Sequence, residues 1–328
     1  MTQQIEKVLV TGGAGYIGSV LVRLLLERGY AVHVLDCLRS GGESLLEVRE
    51  HPKFAFTKGD IREESDVRAA MAGCDAVVHL AAIVGDPACK LEPEVARATN
   101  LEGSKTLTRV AQDLDVRRFV FASTCSNYGR MDDAEAYVVE TSALNPLSIY
   151  AETKVEFERF LLGMPRTSVT KPTCLRFSTV YGMSPRIRFD LTVNEFTREL
   201  VLGKELLIFG EQFWRPYCHV NDLARSAITV LEAPESSVAY EVFNVGNTEE
   251  NYQKKMIVDA IVAQVPTAEV KYVRKDDDPR DYRVNFSKIK EQLGFEITKR
   301  VPDGIREIRE VLEAGYLNDP YDARFSNI

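Results

Sequence analysis

Lys7–Gly18 reads KVLVTGGAGYIG, and Ser19–Asp36 after it reads SVLVRLLLERGYAVHVLD. Lys7–Thr11 is a short β-rich run that enters a glycine cluster. Tyr16–Arg28 has helical length and good helix formers, and Gly29 stops it. Ala31–Leu35 (AVHVL) is a second strand, with Asp36 at its end. Gly13-Ala14-Gly15-Tyr16-Ile17-Gly18 satisfies G-x-G-x-x-G, and Gly12 adds a G-x-x-G-x-x-G reading. Alone that pattern is weak. Here a strand precedes it, a helix follows, and Asp36 stands 21 residues beyond Gly15. Gly12, Gly15 and Gly18 allow the tight turn and the close approach of a pyrophosphate, which the first helical amides (Tyr16, Ile17) meet. Asp36 would accept hydrogen bonds from adenosine ribose hydroxyls and repel a 2′-phosphate, which favours NAD over NADP. Arg39 tempers that preference, since an arginine there could bind the phosphate.

Outward from this stretch the alternation continues. Phe54–Thr57 is a third strand, Ala76–Leu80 (AVVHL) a fourth after a helical stretch, and Phe119–Ala122 (FVFA) a fifth. Glu94–Leu114 reads as one long helix, Tyr150–Leu162 as another, and Thr173–Phe177 as a further strand. Strands alternating with helices predict an α/β fold, a doubly wound parallel sheet of Rossmann type. After Tyr181 the alternation breaks among scattered prolines. The expected division is a dinucleotide-binding domain over residues 1–177 and a smaller, interleaved α/β substrate-binding lobe over 178–328. A return segment near 215–250 is expected, with Glu241–Val245 at the sheet edge. Gly59-Asp60-Ile61 would place Asp60 and Ile61 near the adenine, or make Asp60 a helix cap.

Composition excludes several functions. The 328 residues carry 41 Lys and Arg against 49 Asp and Glu, a net charge of −8, and no basic run supports a nucleic-acid surface. No apolar run reaches the length of a membrane span. Six scattered cysteines without a Cys-x-x-Cys pair and four dispersed histidines argue against a structural metal. Reduced thiols and a polar opening segment fit a cytoplasmic protein.

Tyr150 and Lys154 lie four apart on one predicted helix and so share a face. The fifth strand runs into Ser123-Thr124-Cys125-Ser126, which brings hydroxyls to the strand's carboxyl end, where open α/β sheets bind ligands. Moving a hydride from a carbinol carbon requires a base for the alcohol proton. A free phenol, with a pKa of about 10, is a poor base at neutral pH. A nearby ammonium and a cationic nicotinamide would favour the phenolate. Thr124 would hold the substrate hydroxyl.

These residues together resemble the extended short-chain dehydrogenase/reductase family, specifically its NAD-dependent nucleotide-sugar epimerases and dehydratases. The resemblance rests on Thr11–Gly18, Gly59-Asp60-Ile61, Leu80-Ala81-Ala82, Ser123–Gly129 and Tyr150-Ala151-Glu152-Thr153-Lys154. It implies Tyr150 as catalytic base, Lys154 on the nicotinamide ribose and Thr124 as the hydroxyl member. Asn100 matches an asparagine beside the cofactor, and Leu80, Ala81 and Ala82 match a segment lining it. Arg215 in Arg215–Leu223 (RPYCHVNDL) looks like a contact for the sugar nucleotide's diphosphate, the alternative being a pair with an acidic neighbour. Asn194 matches an amide presented to the nucleotide. Arg274 or Arg280 would supply a second diphosphate contact, and His219 reads as structural.

Departures narrow the activity. The family's 4,6-dehydratases carry Asp-Glu after the threonine, where this chain has Cys125 and Ser126. Its decarboxylating members use a Glu at the position of Ser126. The expected function is therefore a nucleotide-sugar 4-epimerase with tightly held NAD. The alternatives are a nucleotide-linked keto-sugar reductase and a non-catalytic dinucleotide sensor. Cys125 or Cys218 with His219 could instead serve epimerisation beside a ketone. Phe209, Gly210 and Trp214 would border the sugar pocket. A homodimer is implied, through a four-helix contact of the 94–114 and Tyr150 helices. Leu101, Leu107 and Val110 are candidates for that contact or for packing on the sheet.

Overall fold

The computed structural model describes residues 5–131, 136–273 and 281–327. Seven strands form one sheet: β1 (Lys7–Thr11), β2 (Ala31–Asp36), β3 (Phe54–Lys58), β4 (Ala76–His79), β5 (Arg118–Thr124), β6 (Lys171–Phe177) and, skipping three, β10 (Glu241–Val245). Their order is β10-β6-β5-β4-β1-β2-β3, and every pairing is parallel. Burial on both faces explains why β1 and β4 read as continuous apolar runs. The chain winds from β1 out to β3, then restarts beside β1 at β4 and winds the other way. The crevice of the fold therefore opens at the carboxyl ends of β1 and β4. This is the doubly wound α/β sheet expected.

One core cluster packs the helices Tyr16–Glu27 and Val220–Glu232 on one face through Leu21, Leu25, Leu223 and Ala227. The other face carries Val67, Leu107, Val110, Phe157 and Leu161. Leu101, Leu107 and Val110 all lie in this second cluster, so packing on the sheet claims them and they offer no apolar stripe to a partner. Around them the outer helix surface is charged, with Arg97 paired to Glu152 and Arg109 to Glu64.

The long helix expected over 94–114 is interrupted. α-Helical Pro93–Arg97 passes into a π-helical Ala98–Gly103 and then α-helical Ser104–Asp113. Gly103 permits the local crowding, because a Cβ there would sit 3.0 Å from Ile61 Cγ1. Sequence periodicity cannot register a one-residue widening of this kind, which often marks functional positions.

A second core gathers Tyr181, Val193, Leu200, Tyr217, Ile257 and Ile305. Two small sheets frame it: β7 (Thr179–Tyr181), β9 (Trp214–His219) and β11 (Asn251–Gln253), ordered β11-β9-β7, and β8 (Leu206–Phe209) with β12 (Val270–Val273). Between them, the helix after β9 and strand β10 rejoin the large sheet, so the two cores share segments of chain. Among the described residues no helix is long and apolar enough to cross a membrane.

Candidate active site

The crevice at the β1–β4 switch is a cavity of about 300 Å³. Its floor is the glycine loop. Gly12, at φ +75°, lets the loop approach the end of β4, since a Cβ there would lie 2.7 Å from Ala81 N. Gly18 lets the first helical turn close on Gly12, whose carbonyl oxygen a Cβ would meet at 2.1 Å. Gly15 is the roomier position, meeting only that oxygen at 3.2 Å. The helix Tyr16–Glu27 has no side-chain cap and no acidic residue in its first turn. A bare, uncapped helix start beside close-packed glycines fits a dinucleotide diphosphate.

Around this floor the cavity is lined by Leu80, Ala81 and Ala82 from the end of β4, by Asp36, and by Asp60 and Ile61. Asp36 Oδ2 accepts from Ala14 N at 2.9 Å and Oδ1 from Leu38 N at 2.8 Å. Burial raises its pKa, and the two amides oppose that rise. Each oxygen keeps a second lone pair for a ribose hydroxyl. Arg39 also lines the cavity, but its guanidinium is held by Glu92 Oε2 at 2.6 Å. Asp60 is not the cap of the next helix, whose N-cap is Glu63. It sits on the wall and pairs with Arg62 at 2.6 Å, which lowers its pKa.

At the opposite side stand Thr124, Tyr150 and Lys154, all three lining the same cavity. Thr124 ends β5 and caps the following turn, its Oγ1 accepting from Ser126 N at 3.1 Å. Ser148 caps the helix Ile149–Leu162 through Ala151 N, which puts Tyr150 on the first turn and Lys154 one turn later. Lys154 is 4 % exposed and donates from Nζ to the Ala122 carbonyl at 2.8 Å. Nζ lies 5.9 Å from the Tyr150 ring centre. Burial lowers the Lys154 pKa to about 8 and pushes the Tyr150 phenol above its usual range. The Arg188 guanidinium and the Thr124 hydroxyl pull the phenol back down.

Other expected site residues stand behind the wall. Asn100 Oδ1 accepts from Ile83 N at 2.8 Å and its Nδ2 donates to Ile83 O at 3.0 Å, so it staples the segment after β4. Asn194 spends its amide on Gly182 N, Gly182 O, Arg188 O and the Tyr16 hydroxyl. Tyr16 in turn donates to Gly182 O, tying the dinucleotide helix to the second lobe. Arg215 is 8 % exposed, donates to Trp214 O at 2.7 Å, and does not line the cavity. Phe209, Gly210 and Trp214 do not line it either. Arg274 and Arg280 lie outside the described residues. His219 is buried between Glu307, at 2.7 Å from Nε2, and Asn221 N, which donates to Nδ1. That arrangement joins β9 to the helix Val301–Glu313 and suits a structural histidine. Cys125 donates to Arg176 O at 3.2 Å, away from the cavity, and burial pushes the Cys125 and Cys218 thiols far up.

Two arginines that no sequence motif singled out also line the cavity, Arg186 and Arg188, with Asn327 from the end of the described chain. Arg188 pairs with Asp190. The only signal in the sequence was their alternation in Pro185-Arg186-Ile187-Arg188, which puts both on one side of an extended stretch.

Comparison with known proteins agrees with this geometry. The model of the NAD dependent epimerase/dehydratase family matches residues 8–246. The chain is 30% identical over 313 residues to a dTDP-glucose 4,6-dehydratase of Actinoplanes sp., covering 92% of this chain and 96% of that one. It is 29% identical over 313 residues to a UDP-glucose 4-epimerase of Lactobacillus helveticus, covering 88% and 91%. Among solved structures, the UDP-glucose 4-epimerase of Thermotoga maritima with UDP-glucose is 28% identical with a TM-score of 0.83, over 95% of this chain and 100% of that one. The dTDP-glucose 4,6-dehydratase of Streptomyces venezuelae with NAD bound is 29% identical with a TM-score of 0.83, over 94% and 98%. On its sheet, its glycine loop and this match, the chain belongs to the NAD-dependent epimerase/dehydratase family.

Proposed function

We propose that the chain is an NAD-dependent nucleotide-sugar 4-epimerase working through a transient 4-keto sugar. Relatives of similar identity divide between 4,6-dehydratases and 4-epimerases, so the choice rests on residues. The observation that carries it is that Cys125 and Ser126 follow Thr124 where the dehydratases carry Asp-Glu, and that Asp86, whose charge reaches Tyr150, stands outside the cavity wall. Among the described residues only Asp36 and Asp60 bring carboxylates to the cavity. Asp36 ends β2, three strands from β5, or about 14 Å at ordinary strand spacing. Neither can protonate a leaving hydroxyl on a sugar at Tyr150, as water elimination requires. Cys125, where the dehydratases carry an acid, is a buried neutral thiol facing a backbone carbonyl.

In this reading residues 1–177, with the return near 215–250, hold the dinucleotide, and residues 178–328 mainly meet the sugar nucleotide. Asp36 accepts from the adenosine ribose, and the glycine loop seats the diphosphate. NAD, when bound, supplies the hydride acceptor and donor. Thr124 orients the C4 hydroxyl, and Tyr150 takes its proton as the hydride leaves. Lys154, held between Ala122 O and the tyrosine ring, keeps a positive charge close to the forming phenolate. After the keto-sugar turns about its diphosphate link, C4 takes the hydride back on its opposite face and Tyr150 returns the proton to the C4 oxygen. A homodimer through the 94–114 and Tyr150 helices belongs to the same reading, and light scattering should give twice the mass of one chain.

The purified protein should release NAD on denaturation and interconvert C4-epimeric nucleotide sugars without added reductant. Turnover that consumes reduced cofactor stoichiometrically would make it a keto-sugar reductase instead. NAD binding without turnover on any nucleotide sugar would leave only a sensor.

A further inference from the structure

We propose that Arg186, carried by the second lobe, is an arm of the cofactor site and clamps the diphosphate of the dinucleotide against the start of the helix Tyr16–Glu27. This rests on the reading that the cavity holds NAD. Arg186 is 7 % exposed, yet its guanidinium makes one hydrogen bond, from Nη2 to Ser326 O at 3.0 Å. Nε and Nη1 are buried without a partner. The charge of Arg188 opposes its own, and Asp190, the carboxylate within its field, is already committed to Arg188. A buried cation with two idle donors is costly unless an anion completes it.

The loop's anchoring says which anion. Ser184 Oγ donates to Tyr16 O at 2.6 Å and accepts from Arg186 N at 3.3 Å, while Ser19 Oγ lies 3.1 Å away. The Arg188 guanidinium lies 5.9 Å from the Tyr16 ring centre. The arginine loop is thus fastened to the helix turn whose amides are uncapped. Amides from one lobe and a guanidinium fork from the other converge on one cavity, the donor set that a diphosphate's oxygens need.

The test measures binding by Arg186→Met and Arg186→Lys proteins, stripped of cofactor. The probes are NAD, ADP-ribose, which keeps the diphosphate without nicotinamide, and UDP. For Arg186→Met, loss of two charge-assisted bonds should weaken NAD and ADP-ribose about 10- to 100-fold, and UDP less than about twofold. Arg186→Lys, which keeps the charge without the fork, should fall between. The stripped Arg186→Met protein should melt close to wild type but gain a smaller upward shift from NAD. Unchanged NAD and ADP-ribose affinity would overturn the proposal. So would weakened UDP binding with ADP-ribose intact, which would assign the arginine to the substrate's diphosphate. Wild-type protein that ignores NAD altogether would refute the cofactor reading itself, a separate outcome.

Discussion

Two buried arginines, Arg176 on β6 and Arg186 in the loop beyond β7, stand ten residues apart and in opposite circumstances. Arg176 pairs with Glu158 and donates to the Tyr128 hydroxyl at 2.8 Å and Glu140 O at 2.9 Å. Glu158 accepts from Ser123, Ser123 from Asn127, and Asn244 from Tyr128. That network underlies the end of β5 and fixes the strand on which Thr124 sits. Arg186 has one carbonyl and two idle nitrogens. A satisfied buried charge stiffens a scaffold, and an unsatisfied one in a cavity waits for a ligand. Changes beneath the site should therefore alter stability, and changes at its wall should alter binding and rate.

The largest effect should come at the wall. Tyr150→Phe should lower kcat by about a thousandfold, roughly 4 kcal/mol, with NAD retention and melting temperature preserved. A parallel loss of folding stability would erase the distinction between the wall and the network beneath it. Beneath the site, Glu158→Ala leaves Arg176 as an unpaired buried charge and should destabilise folding by at least about 3 kcal/mol. Urea unfolding measures it, and an effect under about 1 kcal/mol would break the contrast from the other side.

Lys154 sharpens it, because it belongs to both. Burial holds its pKa at about 8 against an ordinary 10.5, so the folded chain binds fewer protons than the unfolded chain between those values. Stability then rises with pH across that window, and the full penalty applies below about 8. Relative to Lys154→Met, which has no charge to lose, stripped wild-type protein should gain roughly 3 kcal/mol from pH 8 to 10.5. A flat difference in unfolding free energy would mean the ammonium is solvated. The smallest effect concerns Arg39, half-exposed and held by Glu92. Glu92→Gln frees its guanidinium and should narrow the preference for NAD over NADP by no more than about fivefold, since exposed pairs are worth under about 1 kcal/mol. Binding of both cofactors by titration checks this.

The fold was legible in the sequence because its strands are short apolar runs punctuated by glycine, and Gly12, Gly15, Gly18 and Asp36 fall at fixed places on them. Tyr150 and Lys154 were legible because one helical turn separates them. What stayed hidden depends on partners distant in the chain. Asn100 and Asn194 could be picked out as amides, but nothing local says that Ile83, Gly182 and Tyr16 take up their hydrogen bonds. Leu101, Leu107 and Val110 read equally as core or interface until the sheet is in place to cover them. Arg186 lacked a motif because its importance lies in what its guanidinium does not touch, a property that exists only once Arg188, Asp190 and Ser326 are placed around it.

The central claim is that the hydride taken from C4 returns to C4 while Tyr150 alone moves the proton, without a carboxylate acid, and running the reaction in heavy water tests it most directly. Mass and NMR analysis of the product should show a C4 epimer of unchanged composition with no solvent deuterium in the sugar ring. Deuterium at a carbon beside C4, or a product lighter by one water, would contradict it.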